Sequence, residues 1–142
     1  MDKLAGRVDA ETEAALLSAS PEHYMSAPQL AFFRRRLQAD EQALLSAVKA
    51  TAGHLQESET SSDWNDRASA EEEHTLELRV RDRERKLLQK IREALRRIDE
   101  GNYGWCEETG EPIGIPRLLA RPPAALCLEA QERREQAKRR FG

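Results

Sequence analysis

Two apolar stripes at helical spacing, parted by a short break that no helix favours, constrain this chain more than anything else in it. In the first stripe Leu30, Phe33, Leu37, Leu44, Val48 and Leu55 recur at steps of three, four and seven. In the second, Leu76, Val80, Leu87, Ile91, Leu95 and Ile98 do the same. Such spacing puts side chains on one face of a helix. Between the stripes residues 57–65 read ESETSSDWN. Ser, Thr and Asn there bond locally to the backbone and compete with helix continuation. A short turn between two long helices makes them antiparallel neighbours.

The boundaries follow from capping chemistry. Ser26 reads as an N-cap, with Pro28 in the first turn and Gln29 as its reciprocal partner. The first helix then runs to about residue 57. Asp66, or Ser69 with Glu72, reads as the cap of the second helix. That helix runs to about residue 100, a length of about 50 Å. Residues 101–104, GNYG, stop it. Residues 101–126 are rich in Gly and Pro and predict a small loop-rich module with one short hairpin. Residue 128 to about residue 140 is a last helix, ending in Lys138, Arg139 and Arg140. The expected fold is mainly α. It comprises a leader (1–25) with a short helix near 10–18 and a long antiparallel coiled-coil hairpin (26–100) with its tip near 58–68. A zinc-ribbon-like module (101–126) and a C-terminal helix (127–142) complete it.

Composition agrees. Of 142 residues, 35% are charged and only 5% aromatic, which suits helices that each bury a single stripe. A net charge of −3 argues against a nucleic-acid-coating protein. No apolar run reaches membrane-spanning length, and Met1 to Gly6 lack a secretory core, so a cytoplasmic location is expected.

The charge is segregated. Residues 57–77 hold eight acids against one base, Arg67, whereas residues 79–97 hold nine bases against three acids. A solvated helix laced with ion pairs explains mixed charge, not segregated charge. Like charges repel within the fold. The pattern therefore points to a partner that meets an acidic tip on a basic shaft.

Cys106 and Cys127 occupy the frame of a zinc ribbon, where two Cys-x-x-Cys knuckles supply four thiolates. Thr109 and Ala130 stand where the other two ligands would be. The expectation is a degenerate, metal-free module, with two small buried cysteines as the plainer description of the same residues. A thiol redox switch ranks behind these, because nothing nearby in sequence plainly lowers a thiol pKa. A stable disulfide is not expected in a reducing compartment.

These stretches together resemble the DksA family of bacterial transcription regulators. The resemblance is carried by APQLAFFRRRL (27–37), DRASAEEE (66–73), LELRVRDRERKLL (76–88), GWCEETGEPIGI (104–115) and RLLARP (117–122). The missing cysteines resemble the family's zinc-independent paralogues, which replace the four-cysteine form when zinc is scarce. The resemblance implies direct binding to RNA polymerase without sequence-specific DNA contact. It implies a hairpin entering the secondary channel, a tip that destabilises open complexes at ribosomal-RNA-type promoters, and potentiation by ppGpp in the stringent response. By position, it implies that Asp63, Asp66 and Ala68 form the functional tip, with Asp66 foremost. Arg83 and Lys86 would contact polymerase, and Lys90 and Arg121 would contact ppGpp. A third basic position of the family falls at Gln131, with Arg133 and Arg134 nearby. Trp64 is unusual for an exposed turn.

Two rivals stand beside this reading. A cleavage-type factor would use Asp63 and Asp66 to hold a catalytic magnesium ion. A structural coiled coil would pair heptads between chains and form a dimer, whereas the resemblance implies a monomer. An enzyme in its own right is the weakest reading, because the chain lacks a phosphate-cradling glycine loop and a nucleophile motif.

Overall fold

The computed structural model describes residues 12–59 and 64–141, with side chains described for 12–50 and 69–140. Helix α1 covers described residues 12–18, and a single 3-10 turn spans Pro21–His23. Two long helices follow, α2 (Ala27–Glu59) and α3 (Trp64–Glu100). Helix α4 is Ile115–Ala120 and α5 is Leu128–Phe141. Among the described residues there is no strand, only an isolated antiparallel bridge between Trp105 and Pro112. The chain divides into two units. Unit 1 comprises Met1–Leu37 and Glu93–Gly142, and unit 2 comprises Gln38–Arg92.

Unit 1 holds most of the core. Phe33 and Leu37 of α2, Ala94 and Ile98 of α3, Tyr103, Ile113, Leu118, Leu126 and Ala130 are all buried. Phe33 packs against Tyr103 with ring centroids 5.6 Å apart. The Tyr103 hydroxyl donates to the Pro122 carbonyl at 2.8 Å, so the buried ring carries no unpaired polar tip. Arg97, counted with the basic shaft from its sequence position, is buried instead. Its guanidinium reaches the carbonyls of Pro123 and Ala124 at 3.4 Å and Glu107 at 3.8 Å.

Helix ends in unit 1 follow the capping chemistry with one change. Leu30 N–H bonds to Ser26 O at 2.9 Å, as a cap at Ser26 requires. The reciprocal arm of Gln29 lands one residue earlier than expected, accepting from Met25 N–H at 2.9 Å. At the end of α3, Asn102 N–H reaches Arg97 O at 2.8 Å and Gly101 N–H reaches Ile98 O at 3.2 Å. Gly101 has φ +81°, so this is a Schellman stop.

Unit 2 consists of the remaining lengths of α2 and α3. Glu41 and Arg92 pair across it at 3.2 Å. In unit 1 Arg34 pairs with Asp99 at 2.6 Å. The partner number falls on α3 as it rises on α2, so the two helices are antiparallel.

The structure corrects two expectations about α3. The helix begins at Trp64, so Asp66 and Ser69 lie inside it and neither is the N-cap. The upper half of the expected stripe also faces water: Leu76 is 58% exposed, Val80 42% and Leu87 44%. The half-buried line on this part of α3 is instead Ala70, His74, Glu77, Glu84 and Leu88. Glu77, Glu84 and the buried Ile91 repeat by sevens. A seven-residue repeat defines the seam of a two-helix coiled coil, and Val80 and Leu87 flank that line.

Gly101→Ala forces an L side chain into the left-handed region and should cost about 1–2 kcal/mol in urea unfolding. Gly104 has φ +90°, and a Cβ there would meet Met25 Sδ at 2.5 Å, so Gly104→Ala should cost more than Gly101→Ala.

Candidate functional site

The first candidate region is the knuckle loop of unit 1. Gly104 and Gly114 bracket it, both with positive φ. Ile113 N–H closes the loop onto Gly104 O at 2.8 Å, and Cys106 N–H bonds to Glu111 O at 2.8 Å. Gly110 N–H returns to Cys106 O at 2.9 Å. Glu107 N–H ties the loop to Ala125 O at 2.9 Å. On the other side Cys127 immediately precedes α5, and its carbonyl accepts from Gln131 N–H at 3.0 Å.

The fold brings Thr109 of the knuckle loop to Cys127, and Ala130 follows three residues on in α5. Cys106 is buried, Cys127 half-buried, Thr109 exposed, and Ala130 0% exposed. Thr109 Oγ1 lies 4.0 Å from Cys127 Sγ. Burial pushes the Cys106 thiol up. Hydrogen bonds from the Thr109 hydroxyl and from the backbone N–H groups of Cys127, Thr109 and Glu108 outweigh it, and the thiol falls to about 6. This corrects the expectation that nothing lowers a thiol pKa here. The donors are mostly backbone amides placed by the knuckle, which residue identities do not display.

These residues do not fit a structural zinc ion. Such a site closes a tetrahedron of four donors. Here the fourth position is the Ala130 methyl group, which has no lone pair. Among the described residues no three His, Cys, Asp or Glu side chains gather as a metal site.

Tyr24 is a residue whose role sequence reasoning missed. Its hydroxyl donates to Gly104 O and accepts from Gly114 N–H at 2.9 Å, so it bridges both ends of the knuckle loop. Its ring meets Trp105 edge-on at 5.3 Å. Burial raises its pKa, against the lowering effect of the backbone bonds.

Also in unit 1, Arg121 lies at the C-terminal end of α4 with its guanidinium exposed and no ion pair to a described residue. Gln131 is half-buried and bonds to Glu135 at 3.2 Å. Of its basic neighbours, Arg133 is exposed and Arg134 is engaged with Glu108.

The second candidate region is the α3 face of unit 2. Arg83, Lys86 and Lys90 are all exposed. Their spacing of three and four places them on one face, alongside exposed Leu87. Lys86 pairs with Asp82 at 3.0 Å and Arg85 with the same carboxylate at 2.6 Å. The bonds from Lys86 and then Arg85 hold the Asp82 carboxyl below its usual range. Such exposed, solvent-screened pairs contribute little to stability, so Lys86 can exchange Asp82 for another anion. Asp63 lies outside the described residues. Asp66 and Ala68 sit in the first turns of α3, and their side chains, like that of Trp64, also lie outside the description.

Comparison with known proteins agrees with this arrangement. Residues 29–98 match the family described as DnaK suppressor protein DksA, N-terminal domain. Residues 101–136 match the prokaryotic dksA/traR C4-type zinc finger. The RNA polymerase-binding transcription factor DksA of Caulobacter vibrioides is 51% identical over 119 residues, 83% of this chain and 84% of that protein. The protein of the same name in Escherichia coli K12 is 48% identical over 111 residues, 78% of this chain and 74% of that protein. Transcription factor DksA2 from Pseudomonas aeruginosa superposes with a TM-score of 0.83 at 46% identity, covering 90% of this chain and 98% of that one. The expected fold class, a mainly α helical hairpin with a small zinc-finger-type module, therefore holds.

Restoring the missing donors should restore the metal. The Thr109→Cys/Ala130→Cys double variant should retain one zinc ion per chain after gel filtration, measured by atomic absorption, while the parent chain retains none.

Proposed function

Because the chain belongs to the DksA family, we propose that it is a transcription regulator that binds RNA polymerase and keeps its fold without zinc. The observation that carries this reading is the breadth of the likeness, which takes in both long helices and the module at 46–51% identity. The paired helices of unit 2 enter the secondary channel, the route by which nucleotides reach the active site. The exposed cations Arg83 and Lys86 meet the acidic walls of that route. The tip, with Asp63, Asp66 and Ala68, then destabilises open complexes at ribosomal-RNA-type promoters. Asp66 lies in the first turn of α3, where the helix dipole favours a carboxylate. The protein acts as a monomer in the cytoplasm, reads no DNA sequence and does no chemistry of its own.

In this reading ppGpp binds where the factor meets polymerase, with Lys90 and Arg121 supplying charge-assisted bonds to its phosphates. Gln131 in place of a basic residue weakens that grip. The alternatives make different forecasts. A cleavage-type factor would raise release of short RNA from stalled complexes. A scaffold would behave as a dimer, whatever the state of its tip.

Transcription in vitro from a ribosomal RNA promoter tests the tip. The chain should inhibit, more so with ppGpp, and Asp66→Asn should bind polymerase as before without inhibiting. Equal behaviour of parent and variant would remove the tip from the mechanism. In the same assay Lys90→Ala and Arg121→Ala should each raise the half-maximal ppGpp concentration by about tenfold, the loss of about 1.4 kcal/mol.

A further inference from the structure

We infer that Met25 is a reversible oxidation site, whose thioether takes an oxygen atom from a hydroperoxide and thereby loosens the knuckle loop. The inference does not rest on polymerase binding. The chain has two methionines, and Met25 is the one among the described residues. A Cβ at Gly104 would lie 2.5 Å from Met25 Sδ and 2.6 Å from its Cγ. The thioether therefore fills the space that a side chain at position 104 would need. Met25 also has φ +56°, the one non-glycine residue with positive φ among the described residues. An L side chain adopts that conformation only where its surroundings hold it there. Two contacts do so here. The Met25 N–H donates to Gln29 Oε1 at 2.9 Å, and the sulfur lies against buried Gly104. Met25 itself is half-buried, so a small oxidant can reach it.

What Gly104 holds decides what the oxidation does. Its carbonyl accepts from Ile113 N–H at 2.8 Å and from the Tyr24 hydroxyl. The same hydroxyl accepts from Gly114 N–H at 2.9 Å. Tyr24 precedes Met25 in the chain, so one dipeptide carries both the bridge across the loop and the thioether beneath it. In the oxidation a sulfur lone pair attacks one oxygen of hydrogen peroxide. An S–O bond forms as the O–O bond breaks. The sulfur loses two electrons and the peroxide gains them. The proton on the transferred oxygen passes to the departing hydroxide, which leaves as water. The product, methionine sulfoxide, is polar where the thioether was apolar. Its oxygen adds volume at a contact that has no room for a methyl group, and its dipole needs water or a donor. The side chain therefore leaves Gly104. The left-handed turn at Met25 loses one of its two supports, and the Tyr24 hydroxyl loses its alignment with Gly104 and Gly114. Methionine sulfoxide reductases return the thioether, so the change is reversible.

The test treats the full chain with hydrogen peroxide and then with dithiothreitol, which returns reversibly oxidised thiols but not the sulfoxide. Peptide mass mapping should show one added oxygen on Met25. Amide exchange at Ile113 and Gly114 should then run about tenfold faster or more, the signature of a local opening. Methionine sulfoxide reductases should restore both the mass and the slow exchange. Met25→Leu keeps the size of the side chain without its sulfur, and after the same peroxide it should hold both amides slow. Met25→Gln, polar without any oxidant, should exchange fast from the start, and it carries the test if the leucine variant does not fold by circular dichroism. The proposal is overturned if Met25 gains no oxygen in folded protein, or if the oxidised chain or Met25→Gln keeps both amides slow. It is equally overturned if folded Met25→Leu loses protection in peroxide as the parent does, because the cysteines would then account for the effect.

Discussion

Tyr103 is the contact on which unit 1 depends. It follows the Schellman stop of α3 by two residues, so its position is set by where that helix ends. Its ring packs on Phe33 of α2 and its hydroxyl holds Pro122, beyond α4. One side chain thus joins both long helices of unit 1 to the loop region. Burying a large apolar side chain contributes about 1.5–3 kcal/mol, and a satisfied hydrogen bond about 1 kcal/mol. A structural zinc ion is worth about 10–16 kcal/mol in small zinc-finger peptides. No single contact here matches that. The sum of Tyr103, Ile113, Leu118 and Leu126, with Arg97 and Tyr24 tying loop carbonyls, is of the right order.

Unit 2 is built on the opposite principle. Its half-buried line carries Glu77 and Glu84, and leucines stand in solvent at Leu76, Leu78 and Leu87. Polar residues in a coiled-coil seam cost stability. A pair of helices so composed gains little from its own packing and keeps apolar and cationic side chains on its outer face. Such an outer face is open to contact with a partner. It also explains why charge segregation, unfavourable in isolation, persists along α3.

Much of this was legible in the sequence because it rests on local rules. Ser26, the glycine stop and the last helix all follow from capping and turn chemistry, whereas the expected break at 57–65 is helical at 57–59 and 64–65 and otherwise lies outside the described residues. The knuckle positions 106, 109, 127 and 130 were legible from spacing alone. Three features were not. The seam of α3 runs along Glu77 and Glu84, and a search for apolar residues passes over it to Val80 and Leu87. Arg97 reads as one more shaft cation until the loop carbonyls that bind it are in place. The lowered thiol of Cys106 and the bridging hydroxyl of Tyr24 depend on backbone groups brought from distant parts of the chain, which residue type does not announce. The tip residues gain their assignment from family likeness rather than from geometry.

The central claim is that side-chain packing around Tyr103, not a metal ion, fixes the module. Amide hydrogen exchange tests it most directly, on protein unfolded, stripped with a strong chelator and refolded in its continued presence. The account predicts that the amides of Cys106, Glu107, Ile113 and Arg121, each bonded to a loop or helix carbonyl, stay protected to the same degree as in untreated protein. Exchange at those amides at the rate of an unfolded chain, restored to slow exchange by added zinc, would contradict it.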